Sequence, residues 1–367
     1  MDRLQRIEIE GFKSIRMMDL ELRPLNVLIG ANGAGKSNLV SYFRMLNYMS
    51  TGALQEFVGR AGGADSLLHF GAKRTPQMSA TLNFETDTGT STYHHRLVHA
   101  ALDSLIFAEE RTVFLRPGAR SPQETILGSG HKESLLPSRA QQDDRTSRVF
   151  HHLLRGCQVF QFHDTSETAY IRGKRNIDDN RFLYDNAGNL AAVLYRLQQT
   201  KPEYYRRIVA AIQQIAPFFR DFDLAPDALN PKLILLNWRA RDPEFLFGPH
   251  QLSDGTLRTM ALFTLLLQPE EDLPRVILLD EPELGLHPSA IQLLGSLLRS
   301  VATHHQVIVA TQSVAFVDQF DPGDVVVVEL RENSSEFQRQ DSEKLKDWLE
   351  QYSLGELWQK NVIGGRP

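Results

Sequence analysis

Cysteine is nearly absent from this chain of 367 residues: Cys157 stands alone. Neither an internal disulfide nor a cysteine-based zinc cluster can form, and a buried thiol in a reducing compartment is the expected state. Long apolar runs are missing too. Stretches such as Val276 to Leu279 and Val325 to Val328 are strand-sized, far short of the roughly 20 residues that span a membrane as a helix. There is no surplus of basic charge either: 40 Lys and Arg against 45 Asp and Glu leave a formal net charge of −5. DNA would therefore have to meet a local patch or a partner, which leaves DNA contact open. The opening MDRLQRIEIEGF alternates charged and apolar residues and does not place a basic stretch before an apolar one. No secretory signal is expected, and the cytoplasm is the expected location. Internal repeats and heptad tracts are also lacking. What is present is 42% hydrophobic residues, enough for a sizeable core in one large domain or two modest ones.

Apolar periodicity sorts the chain into elements. Residues 4–30 read as strands, ending in the run Leu25 to Ile29 closed by Gly30, and a helix begins near Lys36. Strand-like pieces at 78–84, 92–98, 105–107 and 112–115 predict a mainly antiparallel lobe. The stretch 118–145, rich in Gly, Pro, Ser and charge, predicts a long mobile loop. Helices are expected over 189–199 and 203–215, too short for long coiled-coil arms, the second with Tyr205, Ile208, Ile212 and Ile215 on one face. From 232 onward, strands at 233–238, 244–247, 276–280, 306–310 and 324–329 alternate with helices at 255–267, 289–302 and 313–318. That alternation predicts a helix-covered, largely parallel sheet. Phe218, Phe219 and Phe222 are expected in the core.

Gly30-Ala-Asn32-Gly33-Ala-Gly35-Lys36-Ser37 fits the phosphate-binding pattern G-x-x-x-x-G-K-[ST], with an apolar strand before it and a helical pattern after it. Its glycines let successive backbone N–H groups, together with a helix N-terminus, point at phosphate oxygens. Lys36 should reach the β- and γ-phosphates, Ser37 should ligate Mg²⁺, and Asn38 begins the helix that carries the positive dipole end. Further on, the apolar strand 276–279 ends in Asp280-Glu281-Pro282. Two adjacent carboxylates at a buried strand end are costly without a cation, so Asp280 is assigned to Mg²⁺ and Glu281 to the attacking water. Glu283 is read as support for the loop, and His287 either opens a helix or meets a neighbouring subunit.

Both motifs would also suit kinases and GTPases. Leu252-Ser253-Asp254-Gly255-Thr256, about twenty residues before the acidic strand, resembles the LSGGQ signature of ABC ATPases. The resemblance implies that Ser253 and Gly255 act in trans, on the γ-phosphate held by an opposite subunit; the residues alone also fit an ordinary serine cap on helix 255–267. The opening IEIEGFKSIRMMDLEL, the insert before the signature and DEPELGLHP resemble the SMC/RecF-like branch, especially the OLD-like predicted ATPases of the AAA_21 type. FHDTS (162–166), NLAAVL (189–194), FFRDFDL (218–224), ATQS (310–313) and the tail from Trp348 extend the resemblance over nearly the whole chain.

That family implies an α/β fold: an ABC-type P-loop NTPase sheet, mixed and helix-covered, with an antiparallel β lobe and a short helical insertion. The expected division is an N-terminal ATPase lobe over 1–117, a loop and helical insertion over 118–231, and a C-terminal ATPase lobe over 232–367. It further implies ATP with Mg²⁺ as cofactors, a homodimer closed around the ATP site or a higher assembly, and no membrane. Relatives often serve phage defence or DNA maintenance, and many carry a TOPRIM nuclease domain or work beside a separately encoded one. No room for that domain is expected after residue 330, so the expected effector is a separate TOPRIM-like nuclease or a toxin. Where ABC enzymes place a switch histidine, this chain has Gln312, an amide that can hydrogen-bond phosphate but cannot become cationic, so slow hydrolysis is expected. The same substitution supports an alternative, a nucleotide-gated scaffold that retains an effector with little turnover.

Gln158, Gln161 and His163 are candidates for the glutamine loop that links Mg²⁺ to the insertion, although 157–162 also reads as plain sheet. Arg172, Lys174, Arg175 and Arg181 among Tyr170, Phe182 and Tyr184 read either as a solvated loop or as a nucleic-acid patch. The histidine pairs 94–95, 151–152 and 304–305 point their rings apart and are assigned no metal.

Overall fold

The computed structural model describes residues 2–142, 144–241 and 245–366. Its first part runs β1 (Arg3–Phe12), β2 (Ile15–Glu21), β3 (Leu25–Ile29), α1 (Lys36–Ser50), α2 (Leu54–Arg60), β4 (Gln77–Thr86), β5 (Gly89–Ala100), β6 (Ser104–Leu115), β7 (Gln123–Gly128), α3 (Leu136–Gln141), α4 (Arg145–Arg155) and β8 (Cys157–Phe160). Six of these strands form an antiparallel sheet in the order β2-β1-β4-β5-β6-β7. Alternation explains it: along β4 every second residue from Met78 to Phe84 is buried, so one face packs on the core and the other meets solvent. Within 118–145, where composition predicts a long loop, β7 pairs with β6 and α3 follows. On β7 only Leu127 is buried; an edge strand held by its ladder rather than by an apolar face leaves no period-two signal.

The middle comprises β9 (Arg175–Asn176), α5 (Leu190–Thr200), α6 (Pro202–Ile215), β10 (Phe219–Asp223), β11 (Leu233–Ile234), β12 (Asn237–Ala240), β13 (Leu246–Phe247) and α7 (Asp254–Leu267). The strand expected over 233–238 is two strands in different sheets: β11 pairs with β9, whereas β12 lies between β10 and β13. Of the strand expected over 244–247, Glu244 lies outside the described residues. Phe219 and Phe222 are buried as expected, but Phe218 is 50% exposed, resting edge-on against Trp238.

The last part runs β14 (Val276–Asp280), α8 (Pro288–Val301), β15 (Gln306–Thr311), α9 (Val314–Val317), β16 (Val325–Arg331), β17 (Ser334–Arg339), α10 (Ser342–Leu349) and α11 (Leu354–Gln359). A second sheet has the order β17-β16-β3-β15-β14-β8, parallel throughout except for β17. Both of its faces are covered, and the alternation of each strand divides its residues between two cores. Val276 and Leu278 face the layer shared with α1 and the antiparallel sheet, whereas Ile277 and Leu279 face the helices α5 to α8. Double burial is why these strands read as unbroken apolar runs. The two sheets are pinned by the buried Gln306, whose amide accepts from the Leu4 N–H at 3.0 Å and donates to the Leu4 carbonyl at 2.9 Å. No helix among the described residues is long and apolar enough to cross a membrane.

Candidate functional site

Because β3, β14 and β15 are parallel neighbours, their carboxyl ends lie on one sheet edge. Thr311 is level with Ile29, and Ala310 with Asp280. The loop after β3, the carboxylates after β14 and Gln312 after β15 therefore leave the sheet side by side, the usual place for a ligand in such sheets.

Residues 30–35 turn from β3 into α1 with Gly33 and Gly35 at φ +79° and +113°. A Cβ on Gly35 would collide with the side chains of Ser335 and Ser14, so the position excludes every other residue on both conformation and space. Behind the loop, Asn38 Nδ2 donates to Ser14 Oγ at 2.6 Å, Ser14 Oγ lies 2.6 Å from Ser335 Oγ, and Ser335 Oγ donates to the Ala34 carbonyl at 2.6 Å. Each hydroxyl has one proton, so the relay runs one way, from Asn38 to Ala34. The side chain of Asn38 thus shapes the loop from behind, while Asn32, Gly33 and Ser37 remain exposed. Lys36 is buried, and its ammonium donates to the carbonyls of Gly30 at 2.5 Å and Ala31 at 3.1 Å. Burial pulls its pKa below the usual lysine value, opposed by Glu281, Asp280 and Glu283; lysine and carboxylates thus share one electrostatic site.

Asp280 is 8% exposed, and burial, with Glu281 beside it, raises its pKa although His163 opposes this. Gln161 Nε2 donates to Asp280 Oδ2 at 3.3 Å, its carbonyl oxygen accepts from Arg44, and His163 Nε2 lies 2.9 Å from the Asp280 carbonyl. Of the three candidates for the glutamine loop, the structure brings Gln161 and His163 to the acid pair. Gln158 instead donates to the Arg155 carbonyl. Glu281 stands at φ +44°, a conformation that costs a non-glycine residue about 1–2 kcal/mol. Its N–H is held by the Ala310 carbonyl at 2.8 Å, and Oε1 accepts from Gln312 Nε2. A buried acid with a neighbouring carboxylate, an exposed serine hydroxyl and a glycine-containing loop leading into a helix N-terminus is the set that suits Mg²⁺ and phosphate.

Ser253 caps α7, its Oγ accepting from the Thr256 N–H at 3.2 Å. A Cβ on Gly255 would collide with the Gly285 carbonyl, so glycine there allows the helix end to sit directly on the loop after the acid pair. Arg258 fastens the same junction, donating to the carbonyls of Phe162 at 3.2 Å, His163 at 2.9 Å and Leu284 at 3.0 Å. A single basic residue in the mostly apolar α7 was its only signal in the sequence. Arg44 and Thr311 were likewise missed. Arg172, read in sequence as part of a solvated or nucleic-acid-binding loop, is only 6% exposed; it donates to the Thr165 carbonyl at 2.7 Å, the Leu252 carbonyl at 3.3 Å, the Pro249 carbonyl and Asp254. It is an internal strut of the signature segment. Lys174 pairs with Asp227, and Arg175 stacks 4.4 Å over the Tyr170 ring.

Comparison with known structures finds a similar fold in the heads of SMC proteins. The SMC head bound to the C-winged helix domain of ScpA superposes with a TM-score of 0.59 at 15% identity, covering 94% of this chain and 99% of that one. An SMC head with an extended coiled coil, bound to the C-terminal domain of ScpA from Pyrococcus furiosus, gives 0.58 at 15% identity, over 95% and 99%. The head with a coiled coil and joint from Pyrococcus yayanosii gives 0.53 at 13%, over 95% and 99%. At such identities the likeness is one of fold: a mixed, helix-covered P-loop sheet with an antiparallel lobe. No curated protein matches the sequence. The model of the AAA_21 family, described as AAA domain, putative AbiEii toxin, Type IV TA system, matches residues 25–318, a span running from the strand before the phosphate loop to beyond Gln312, and the chain belongs to that family of AAA ATPases.

Proposed function

We propose that the protein is a Mg²⁺-dependent ATPase whose site is completed by a second copy of the chain. The observation that carries the reading is the convergence of Lys36, Asp280, Glu281 and Gln312 at one sheet edge. The N–H groups of residues 30–37 receive the β- and γ-phosphates, and Lys36 exchanges its carbonyl partners for phosphate oxygens. Ser37 and Asp280 hold Mg²⁺, which when bound neutralises phosphate charge. Glu281 takes a proton from a water that attacks the γ-phosphorus, and the bond to the ADP oxygen breaks. Gln312 keeps the Glu281 carboxylate aimed, and Ser253 with the α7 N-terminus of the opposite protomer closes over the γ-phosphate. Within each chain Arg258 ties the α7 N-terminus to the loop after that chain's own acid pair, so closing one site bears on the other.

Glu281→Gln is expected to abolish phosphate release while leaving ATP binding intact, and to trap an ATP-dependent dimer on size-exclusion chromatography. Normal hydrolysis by Glu281→Gln would remove the assigned base. The biological output is control of a separately encoded effector, a TOPRIM-like nuclease or a toxin, in phage defence or DNA maintenance. The toxin-system description of the family supports such a role, and the SMC heads bound to ScpA show that this fold can dock protein partners. A second reading, a nucleotide-gated scaffold with little turnover, is favoured by Gln312, whose neutral amide occupies Glu281. Slow hydrolysis with ATP-dependent effector retention would distinguish it.

A further inference from the structure

Two hydrogen bonds join the turn after β14 to the turn after β15 like successive rungs. The inner one runs from Gln312 to Glu281, the outer one from the Thr311 hydroxyl to Glu283 Oε1. Glu283 is 7% exposed, and its other oxygen has no hydrogen-bond partner among the described residues. A buried carboxyl with one oxygen unpaired is an expensive way to brace a loop, which an apolar side chain would do at lower cost. The Thr311 hydroxyl has one proton, given to Glu283, and its oxygen accepts the Ser313 N–H at 2.9 Å. The carboxyl therefore fixes the orientation of a hydroxyl that in turn folds the backbone on both sides of Gln312.

We infer that Glu283 is a positioning residue: through Thr311 it holds the 311–313 turn in the shape that brings the Gln312 amide onto Glu281. This rests on the ATPase reading above, with Glu281 as base. Thr311 and Gln312 are adjacent, so releasing the outer rung frees the inner one. Burial lifts Glu283 to about 7, and either form of the carboxyl keeps an oxygen that can accept from Thr311. A glutamine has such an oxygen as well, whereas alanine and valine cannot reproduce the pair.

The test is steady-state ATP hydrolysis by the full chain as wild type, Glu283→Ala, Glu283→Gln, Thr311→Val, the Glu283→Ala/Thr311→Val double variant and Glu281→Gln, with nucleotide affinity from a fluorescent ATP analogue. Glu283→Ala and Thr311→Val are expected to lower kcat by about 10- to 100-fold with KM and nucleotide affinity unchanged, the scale on which misplaced catalytic groups act. Glu283→Gln should restore most of the rate, and the double variant should be no slower than either single one. Wild-type kcat in Glu283→Ala, failure of Glu283→Gln to rescue, or multiplicative losses in the double variant would overturn the inference. Should Glu283→Ala not fold, Thr311→Val decides by the same criterion. Hydrolysis that is sensitive to Glu281→Gln but indifferent to Glu283 and Thr311 sinks this inference alone, whereas hydrolysis unaffected by Glu281→Gln, or none in any variant, sinks the ATPase reading with it.

Discussion

Gln312 leaves the sheet edge beside the acid pair, and its amide already holds Glu281. Histidine could donate the same bond and also carry charge, and charged donors form bonds about twice as strong as neutral ones. Gln312→His is therefore expected to raise turnover by roughly tenfold, equivalent to one hydrogen bond's worth of transition-state stabilisation. Unchanged phosphate release would show that the amide is not what limits the rate. Far from that edge, His95 is buried between the antiparallel sheet and α1, its ring parallel to Tyr42 at 6.1 Å and 5.4 Å from Tyr93. Neither of its ring nitrogens has a hydrogen-bond partner among the described residues. Burial pushes its pKa down from 6.5 to about 3, and His94 adds to this. The folded value lies below the unfolded one, so the stability due to neutral His95 is complete above pH 6.5 and is lost as pH falls toward 3. The loss is on the order of 1 kcal/mol per pH unit. His95→Phe keeps the aromatic packing and should narrow the difference in urea stability between pH 7.5 and pH 5. A difference equal to that of wild type would rule out this histidine as a source of acid sensitivity.

At the scale of elements, the N-terminus of α7 is placed by what it touches. Its cap is written in the sequence, since Ser253 followed by a long apolar run is a helix start in any context. Its position against Gly285, Phe162 and His163 is not, because the residues that fix it, Gly255 and Arg258, act through backbone carbonyls of distant segments. Gly255→Ala would push the helix end off the Gly285 carbonyl, which is backbone and cannot swing aside. The expected outcome is nucleotide affinity within about twofold of wild type but hydrolysis reduced by more than about tenfold, the mark of a displaced group that acts only in the closed site. Loss of nucleotide affinity in the isolated protomer would instead place α7 in the binding site of its own chain. For β7 the reason differs: its ladder to β6 is local, but with only Leu127 buried it carries no apolar alternation, and composition alone makes 118–145 look like a loop.

At the scale of the whole molecule, the proposed sandwich makes each site depend on two chains. A chain with Lys36→Ala lacks its own phosphate ligand but keeps a working signature; Ser253→Arg has the reverse defect. Each alone should be inactive. Mixed in equal amounts they should recover up to about one quarter of wild-type turnover, because random pairing makes half the dimers heterodimers and each has one intact site. Persistent inactivity of the mixture, with both variants folded and dimeric, would exclude the trans arrangement.

The parts of this protein that are legible from local order are those whose chemistry is contiguous. The phosphate loop, the Asp280-Glu281 pair and the serine cap of α7 each lie within a few residues, and the apolar runs of β3, β14, β15 and β16 declare a sheet buried on both faces. Strand register and sheet order were decided only in three dimensions. They put Thr311 level with Ile29 and Asp280 level with Ala310, turned Gln161 toward Asp280, and converted Arg172 from an apparent surface charge into a buried strut. The reason is physical: periodicity reports which face of an element is apolar, whereas a hydrogen bond between segments over a hundred residues apart, such as Gln161 to Asp280, leaves no trace in the order of residues around either end.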